Sequence, residues 1–145
     1  MSDPYISVAL RRRVIAQARG RYGYCLGDET IVGIALEIEH IIPRAAGGGT
    51  EEENLWLSCM DCNSRKGTQT SAQDPLTGAT VALYDPRHQR WTDHLAWADG
   101  VALIEGLTPA GRAAERVDRG YRLERPLIPL STFCGSKLGR SVLNA

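Results

Sequence analysis

A carboxylate and an imidazole stand side by side near the end of an apolar, β-branched stretch. Glu39 and His40 lie in the segment 31–42, which Pro43 brings to a stop. A carboxylate can hold a hard cation, and an imidazole with its ordinary pKa of about 6.5 can accept a proton from water near neutral pH. The pair could therefore serve a hydrolytic reaction, with one residue binding a metal ion and the other acting as general base.

Three further polar residues follow at short range. Asn54 comes just before a second apolar run, 55–59, and Asn63 and Lys66 lie in the next segment, which has helical spacing. Because residues three apart share one face of a helix, Asn63 and Lys66 are predicted to point the same way. The predicted order is strand, glycine-rich loop, strand, helix.

Each candidate also has an ordinary structural interpretation. A single histidine is most often a hydrogen-bonded structural group, and a single asparagine is often a turn or cap residue. Lys66 precedes Gly67, where a lysine complements the dipole at a helix end. Adjacent residues of a regular strand face opposite sides, so Glu39 and His40 can share a site only where the strand ends or is irregular.

The segment 37–67 resembles the HNH nuclease motif. Its three named letters fall on His40, Asn54 and Asn63, and the match extends to Pro43, the glycines at 47 and 48 and the Cys-x-x-Cys-Asn of 59–63. This joint occurrence favours a nuclease over the separate structural interpretations. The resemblance implies a ββα-metal (His-Me finger) core and a metal-dependent endonuclease that hydrolyses phosphodiester bonds in DNA, expected to be double-stranded.

The resemblance also implies a role for each residue. His40 would be the general base, and Glu39 and Asn63 would bind one Mg²⁺ or Mn²⁺. Asn54 would bond the backbone of the loop and so aim His40. The family more often has Asp before the histidine, so Glu39 is a departure. The residues expected to contact DNA are Arg44, Arg65 and Lys66, the last of which would steady the phosphate.

The four cysteines are Cys25, Cys59, Cys62 and Cys134. Many HNH relatives carry an earlier Cys-x-x-Cys that completes a structural zinc site, and Tyr22 stands where the first of those cysteines would be. A tetrahedral thiolate site needs four ligands. A fourth could come from Cys134, His88, His94 or water; otherwise the zinc has been lost, the thiols pack as small apolar groups and Tyr22 fills the space. The incomplete set favours the loss.

Two other functions compete with the nuclease. One is a catalytically silent nucleic-acid-binding or structural module on the same scaffold, which the variation at Glu39 and the missing cysteine favour. The other is a small zinc-ribbon interaction domain, which Tyr22 weakens because it removes a ligand. Retention of both His40 and Asn63 argues for the enzyme.

Composition places broad limits on the protein. The 145 residues suffice for a single domain, 1–145, with 43% hydrophobic and 23% charged residues. A net charge of zero argues against a strongly basic, non-specific nucleic-acid binder. The sequence contains neither an apolar run of about eighteen residues nor the pattern of a signal peptide, so we expect a cytoplasmic protein without membrane contact.

The flanks predict additional elements in an α+β fold. We expect an N-terminal helix over 7–18 that begins at Ser7, and a nuclease core over 20–70. The extension, 71–125, is predicted to contain a β-hairpin and a helix, and its part from Asp74 to Gly111 resembles the extension that follows the HNH core in small bacterial and phage proteins. Its predicted parts are a polar linker over 67–74, a strand over 81–84, a hairpin of 91–98 and 101–107 around an Asp99-Gly100 turn, and a helix from Thr108 to about Arg119. The tail, 126–145, is expected to be partly disordered.

Overall fold

A computed structural model describes residues 5–28, 36–98 and 104–120, with side chains up to 117. The elements are α1 (Val8–Gln17), β1 (Leu36–His40), β2 (Leu55–Cys59), α2 (Met60–Lys66), β3 (Ser71–Gln73), β4 (Thr80–Ala82), α3 (Trp91–His94), β5 (Leu95–Trp97), β6 (Ile104–Gly106) and α4 (Pro109–Gly120), with 3-10 turns at Arg44–Ala46 and Glu52–Asn54. The fold is therefore of the α+β class. None of the described helices is long and apolar enough to cross a membrane.

A β-hairpin followed directly by a helix forms the centre of the molecule. β1 and β2 are antiparallel, with Leu36 opposite Cys59 and His40 opposite Leu55. The chain passes from β2 into α2 without a loop, because the Cys59 sulfur accepts a hydrogen bond from the Cys62 amide and caps the helix. This is the predicted order of strand, loop, strand and helix.

The alternation of β1 decides which side chains meet α2. Side chains of a strand point to its two faces in turn, so Glu37 and Glu39 share one face and His40 lies on the other. Side chains of α2 reach both glutamates, which places the helix on their face. The strand ends at His40, two residues earlier than the predicted end at Ile42.

Helix α1 lies beside the loop 41–54. As predicted, the Ser7 hydroxyl caps the helix by accepting a hydrogen bond from the Leu10 amide. Val14 is buried, and on the loop side Glu52 accepts hydrogen bonds from Arg13 and Gln17. The helix thus braces the loop that follows His40.

The core has two clusters that meet at Tyr24. The first contains the buried residues Ala18, Tyr22, Cys25, Leu57, Cys59 and Cys62. The second contains Tyr84, Trp91 and Leu95 of the extension. Tyr24 packs against both clusters, and the Trp91 indole donates a 2.8 Å hydrogen bond to its carbonyl oxygen. The extension is therefore packed against the hairpin.

The extension differs from the sequence-based prediction at two places. β3 lies within the predicted linker 67–74 and pairs with β4. It was missed because only Ala72 of its three residues is partly buried, so the strand has no apolar signature. The segment predicted as a strand over 91–98 begins instead with the helical turn of α3, whose Trp91 is buried.

The hairpin of β5 and β6 also has a different register from the predicted one. A two-residue Asp99-Gly100 turn would place Trp97 opposite Ala102, but Trp97 pairs with Ile104. The connecting residues 99–103 lie outside the described residues, as do the tail 126–145 and most of the predicted strand segment before Leu36. The Thr108 cap of α4 is as predicted, with its hydroxyl accepting from the Gly111 amide.

A buried ion pair fastens α4 to the turn between β3 and β4. Asp74 is fully buried, and its two carboxylate oxygens each accept a 2.8 Å hydrogen bond from the guanidinium of Arg112. The same carboxylate accepts hydrogen bonds from the Leu76 amide and the Thr77 hydroxyl. Arg112 holds the pKa of Asp74 well below its usual range.

We predict that Arg112→Gln lowers the melting temperature near pH 7 by several degrees, because it leaves the buried Asp74 carboxylate without its countercharge. A carboxyl with a depressed folded-state pKa contributes stability above its unfolded pKa of about 3.8 and loses it as the pH falls further. The difference in melting temperature between wild type and Arg112→Gln should therefore become smaller below about pH 4.

The matched control for this prediction is Arg116→Gln on the same helix. Arg116 is exposed, and its guanidinium donates a hydrogen bond to the side chain of Gln73. Thermal unfolding between pH 3 and 7 should show a much smaller effect for this variant. Equal effects of the two substitutions would contradict a special role of the Asp74 pair.

Candidate metal and nucleic-acid site

His40 lies where the hairpin opens into the loop 41–54. Its side chain is half-buried, and Nε2 lies 3.0 Å from the hydroxyl oxygen of Thr50. Thr50 was not among the site residues that the sequence predicts. No sequence signal indicated it, because the pairing spans the whole glycine-rich loop.

Asn54 holds that loop together. Its Oδ1 accepts a 2.8 Å hydrogen bond from the Ile42 amide, and its Nδ2 donates to the carbonyl oxygens of Ile42 and Gly49. The backbone at Gly48 passes so close that a Cβ there would lie 1.8 Å from the Ile42 carbonyl oxygen. Asn54 therefore bonds the loop backbone as the sequence predicted, and the loop needs glycine at position 48.

Glu39 is buried between β1 and α2. Glu39 is 2% exposed, and neither of its carboxylate oxygens accepts a hydrogen bond within the described chain. The nearest cation is the Lys66 ammonium, 3.6 Å from Oε2, which also donates a 3.1 Å hydrogen bond to the His40 carbonyl oxygen. Burial raises the pKa of Glu39 to about 7, although the Lys66 charge acts in the opposite direction.

Asn63 faces a different glutamate. Its Nδ2 donates a 2.5 Å hydrogen bond to Oε2 of Glu37, two residues before Glu39 on the same face of β1. Glu37 was not among the site residues predicted from the sequence. The signal that could have found it is the strand period of two, which places residue 37 beside residue 39.

The predicted site residues thus fall into two groups. Glu39, Asn63 and Lys66 lie between β1 and α2, whereas the His40 side chain lies on the other face of the strand with Thr50. The two groups adjoin at the end of β1, because Lys66 bonds the backbone of His40.

The three expected DNA contacts differ in exposure. Arg44 is exposed on the loop after Pro43. The Arg65 side chain is 14% exposed and lies 3.7 Å from the Asp61 carboxylate. Lys66 is buried beside Glu39 as its countercharge, and it also lies in the last turn of α2 before Gly67, as the helix-end interpretation has it.

The oxygen atoms between β1 and α2 are of the chemical type that a hard divalent cation prefers. Mg²⁺ and Mn²⁺ prefer carboxylate and amide oxygens, which Glu37, Glu39 and Asn63 provide. The observation that fits best is the pair of Glu39 oxygens, which are buried without hydrogen bonds. Buried polar atoms normally have partners, so unpaired ones indicate an absent ion or water.

Three cysteines form a separate cluster in the core. The sulfur atoms of Cys25, Cys59 and Cys62 lie within 4.8 Å of one another, and all three residues are buried. In the described chain this is the only such group of three or more cysteine, histidine or acidic residues. Tyr22 is fully buried in the same cluster. Histidines 88 and 94 are elsewhere, paired with Asp85 and Thr108, and Cys134 lies outside the described residues.

Comparison with known proteins finds a family match over the segment that contains the candidate site. Residues 23–69 match the family model described as HNH endonuclease. This range contains β1, β2, α2, the loop 41–54 and the three clustered cysteines. No curated protein and no solved structure shows significant similarity to the chain.

The buried Glu39 carboxyl predicts how the stability of the metal-free protein depends on pH. Its folded-state pKa is about 7 against 4.5 in the unfolded chain, so the folded state holds the proton more tightly. The free energy of unfolding should therefore fall as the pH rises from 4.5 to about 7, and then stop falling. A shift of this size corresponds to a loss of about 3 kcal/mol.

Urea unfolding in the presence of a chelator at several pH values measures this loss. Glu39→Gln should remove it, because the amide does not titrate, and Glu105→Gln on the exposed face of β6 should retain it. Parallel pH curves for wild type and Glu39→Gln would show that Glu39 does not titrate in this window.

The thiol cluster gives a prediction about zinc. The resemblance puts Tyr22 where relatives carry a further cysteine, and Tyr22 is fully buried in the same cluster as the three thiols. We therefore expect purified protein to contain well under one zinc per chain by elemental analysis. Tyr22→Cys should raise the content toward one. A full equivalent of zinc in the wild type that Cys134→Ser removes would contradict this prediction and identify Cys134 as the fourth ligand.

Proposed function

We propose that this chain, whose residues 23–69 match the HNH endonuclease family model, hydrolyses phosphodiester bonds in DNA with the help of a divalent metal ion. One observation carries the proposal. The imidazole of His40 is held at the open end of the hairpin, next in sequence to a buried carboxylate whose oxygens accept no hydrogen bond from any described residue. An imidazole and such a carboxylate at one strand end are the groups that metal-assisted hydrolysis requires.

His40 is the proposed general base. A hydroxyl oxygen, that of Thr50, already lies at hydrogen-bonding distance from Nε2, so an oxygen of this size fits at that nitrogen. We assign the attacking water to this nitrogen, a role that requires the Thr50 hydroxyl to move aside. The loop that carries Thr50 is held by Asn54, whose three hydrogen bonds fix the backbone after His40. Asn54 is therefore a positioning residue.

Glu39 and Asn63 are the proposed ligands of Mg²⁺ or Mn²⁺. When bound, the ion supplies positive charge to the phosphate and the departing oxygen. Glu39 supplies a full negative charge from an interior position, where the charge is poorly screened. Lys66 balances that charge in the structure described. Its ammonium is close enough to Glu39 to share the neutralisation of a bound phosphate.

The proposed DNA contact is the arginine-bearing surface around the loop. Arg44 is exposed on that loop, two residues after Ile42. Arginine binds phosphate through paired N–H donors. Since the net charge of the chain is zero, binding would depend on this local surface. We propose double-stranded DNA as the substrate.

A silent DNA-binding module is the second candidate. The observation that favours it is the pairing of the polar groups with one another, Glu39 with Lys66 and Asn63 with Glu37. In addition, the cavity beside Lys66 is lined mainly by apolar side chains such as Leu83, Leu95 and Ile104, and His40 does not line it. A protein of this kind would bind DNA without cutting it.

Nicking of supercoiled plasmid separates the two functions. We predict metal-dependent nicking by the wild type, lost in chelator, and a fall of about 10²- to 10⁴-fold for His40→Ala because a general base is removed. His88→Ala is the matched control, since His88 is an exposed histidine of the extension. Asn63→Ala should also lower the rate.

Binding of the same DNA should be measured alongside by mobility shift. Equal binding by wild type and His40→Ala, with no nicking by either in Mg²⁺ or Mn²⁺, would replace the nuclease with the silent module. Loss of nicking in His88→Ala to the same extent as in His40→Ala would also overturn the assignment.

A further inference from the structure

We infer that Glu37 is a positioning residue for the metal site, because it fixes which end of the Asn63 side-chain amide is presented to the cation. The inference rests on the proposed function, in which Asn63 is a ligand. It concerns a residue to which the motif assigns no role, and it starts from one short contact between β1 and α2.

The chemistry of the two side chains determines the orientation of the amide. An ionised carboxylate can only accept hydrogen bonds, whereas an asparagine amide has one end that donates and one that accepts. Glu37 Oε2 lies 2.5 Å from Asn63 Nδ2, so the amide must turn its N–H end to Glu37. Because the amide is planar, its oxygen then points away from Glu37.

The placement of the two elements makes Glu37 suitable for this task. Glu37 and Glu39 occupy the same face of β1, and α2 lies across that face with Asn63 against Glu37 and Lys66 against Glu39. Only oxygen is a useful ligand for Mg²⁺ or Mn²⁺, so an amide free to flip would present the wrong end part of the time. The contact with Glu37 removes that freedom before the metal arrives.

Partners that orient a metal ligand typically change metal affinity or activity by about 10- to 100-fold when they are removed. We therefore expect Glu37→Ala to weaken Mn²⁺ binding by about 10- to 100-fold. Glu37→Gln should have a much smaller effect, because the glutamine oxygen can still accept the Asn63 N–H bond. The matched control is Glu105→Ala, an exposed glutamate on β6.

The experiment measures Mn²⁺ affinity by titration calorimetry and by the electron paramagnetic resonance signal of free Mn²⁺, without DNA. The decisive variant is Glu37→Ala in an Asn63→Ala background. If Glu37 acts through Asn63, removing it has no further effect once Asn63 is gone. Thermal unfolding in chelator verifies that each variant is folded, and Glu37→Thr replaces Glu37→Ala if the alanine variant is unfolded.

Each outcome has one meaning. Equal losses in Glu37→Gln and Glu37→Ala that persist in the Asn63→Ala background would make Glu37 a direct ligand and overturn the inference. Unchanged Mn²⁺ affinity in Glu37→Ala, with a lower melting temperature, would make its role structural. If Glu39→Gln also leaves Mn²⁺ affinity unchanged, the proposed metal site itself fails, which is a different result from failure of Glu37 alone.

Discussion

The central constraint on the structure is an acidic side chain buried between the hairpin and α2. Neither carboxylate oxygen of Glu39 accepts a hydrogen bond within the described residues, and burial raises its pKa to about 7. Transfer of a carboxylate out of water is costly, and the Lys66 ammonium at 3.6 Å offsets only part of that cost. A hydrophobic residue of similar size at this position would avoid the cost of burying a charge.

The alternation of side chains along β1 places Glu39 and His40 on opposite faces of the hairpin. Adjacent strand residues face opposite sides, so Glu39 meets α2 while His40 meets the loop 41–54. Lys66 connects the two sides through the backbone of His40 rather than through the imidazole. The two sides therefore adjoin at the end of β1, where the Asn54 hydrogen bonds hold the backbone of the loop.

The extension stabilises this core from the outside. The Arg87 guanidinium lies 5.4 Å from the ring centre of Trp56 and donates to the Leu55 carbonyl oxygen, so it touches β2 directly. Trp91 bonds the backbone of Tyr24, which packs against both core clusters. The Asp74 and Arg112 pair then joins α4 to the rest of the extension. These contacts tie residues far apart in sequence to the segment that bears His40.

The amino-acid sequence by itself determined the local elements and the inventory of chemical groups. Apolar runs, the Ser7 and Thr108 caps and the helical spacing after Cys59 predict most of the elements, because these signals act over a few residues. The polar strand β3 and the register of the last hairpin were not predictable, since backbone pairing and tertiary packing set them. Only the tertiary structure decided which partners the polar groups have: Thr50 for His40, Glu37 for Asn63 and Lys66 for Glu39. Such pairings depend on how a helix lies across a strand and on how deeply a charge is buried, and neither quantity is encoded within a short stretch of residues.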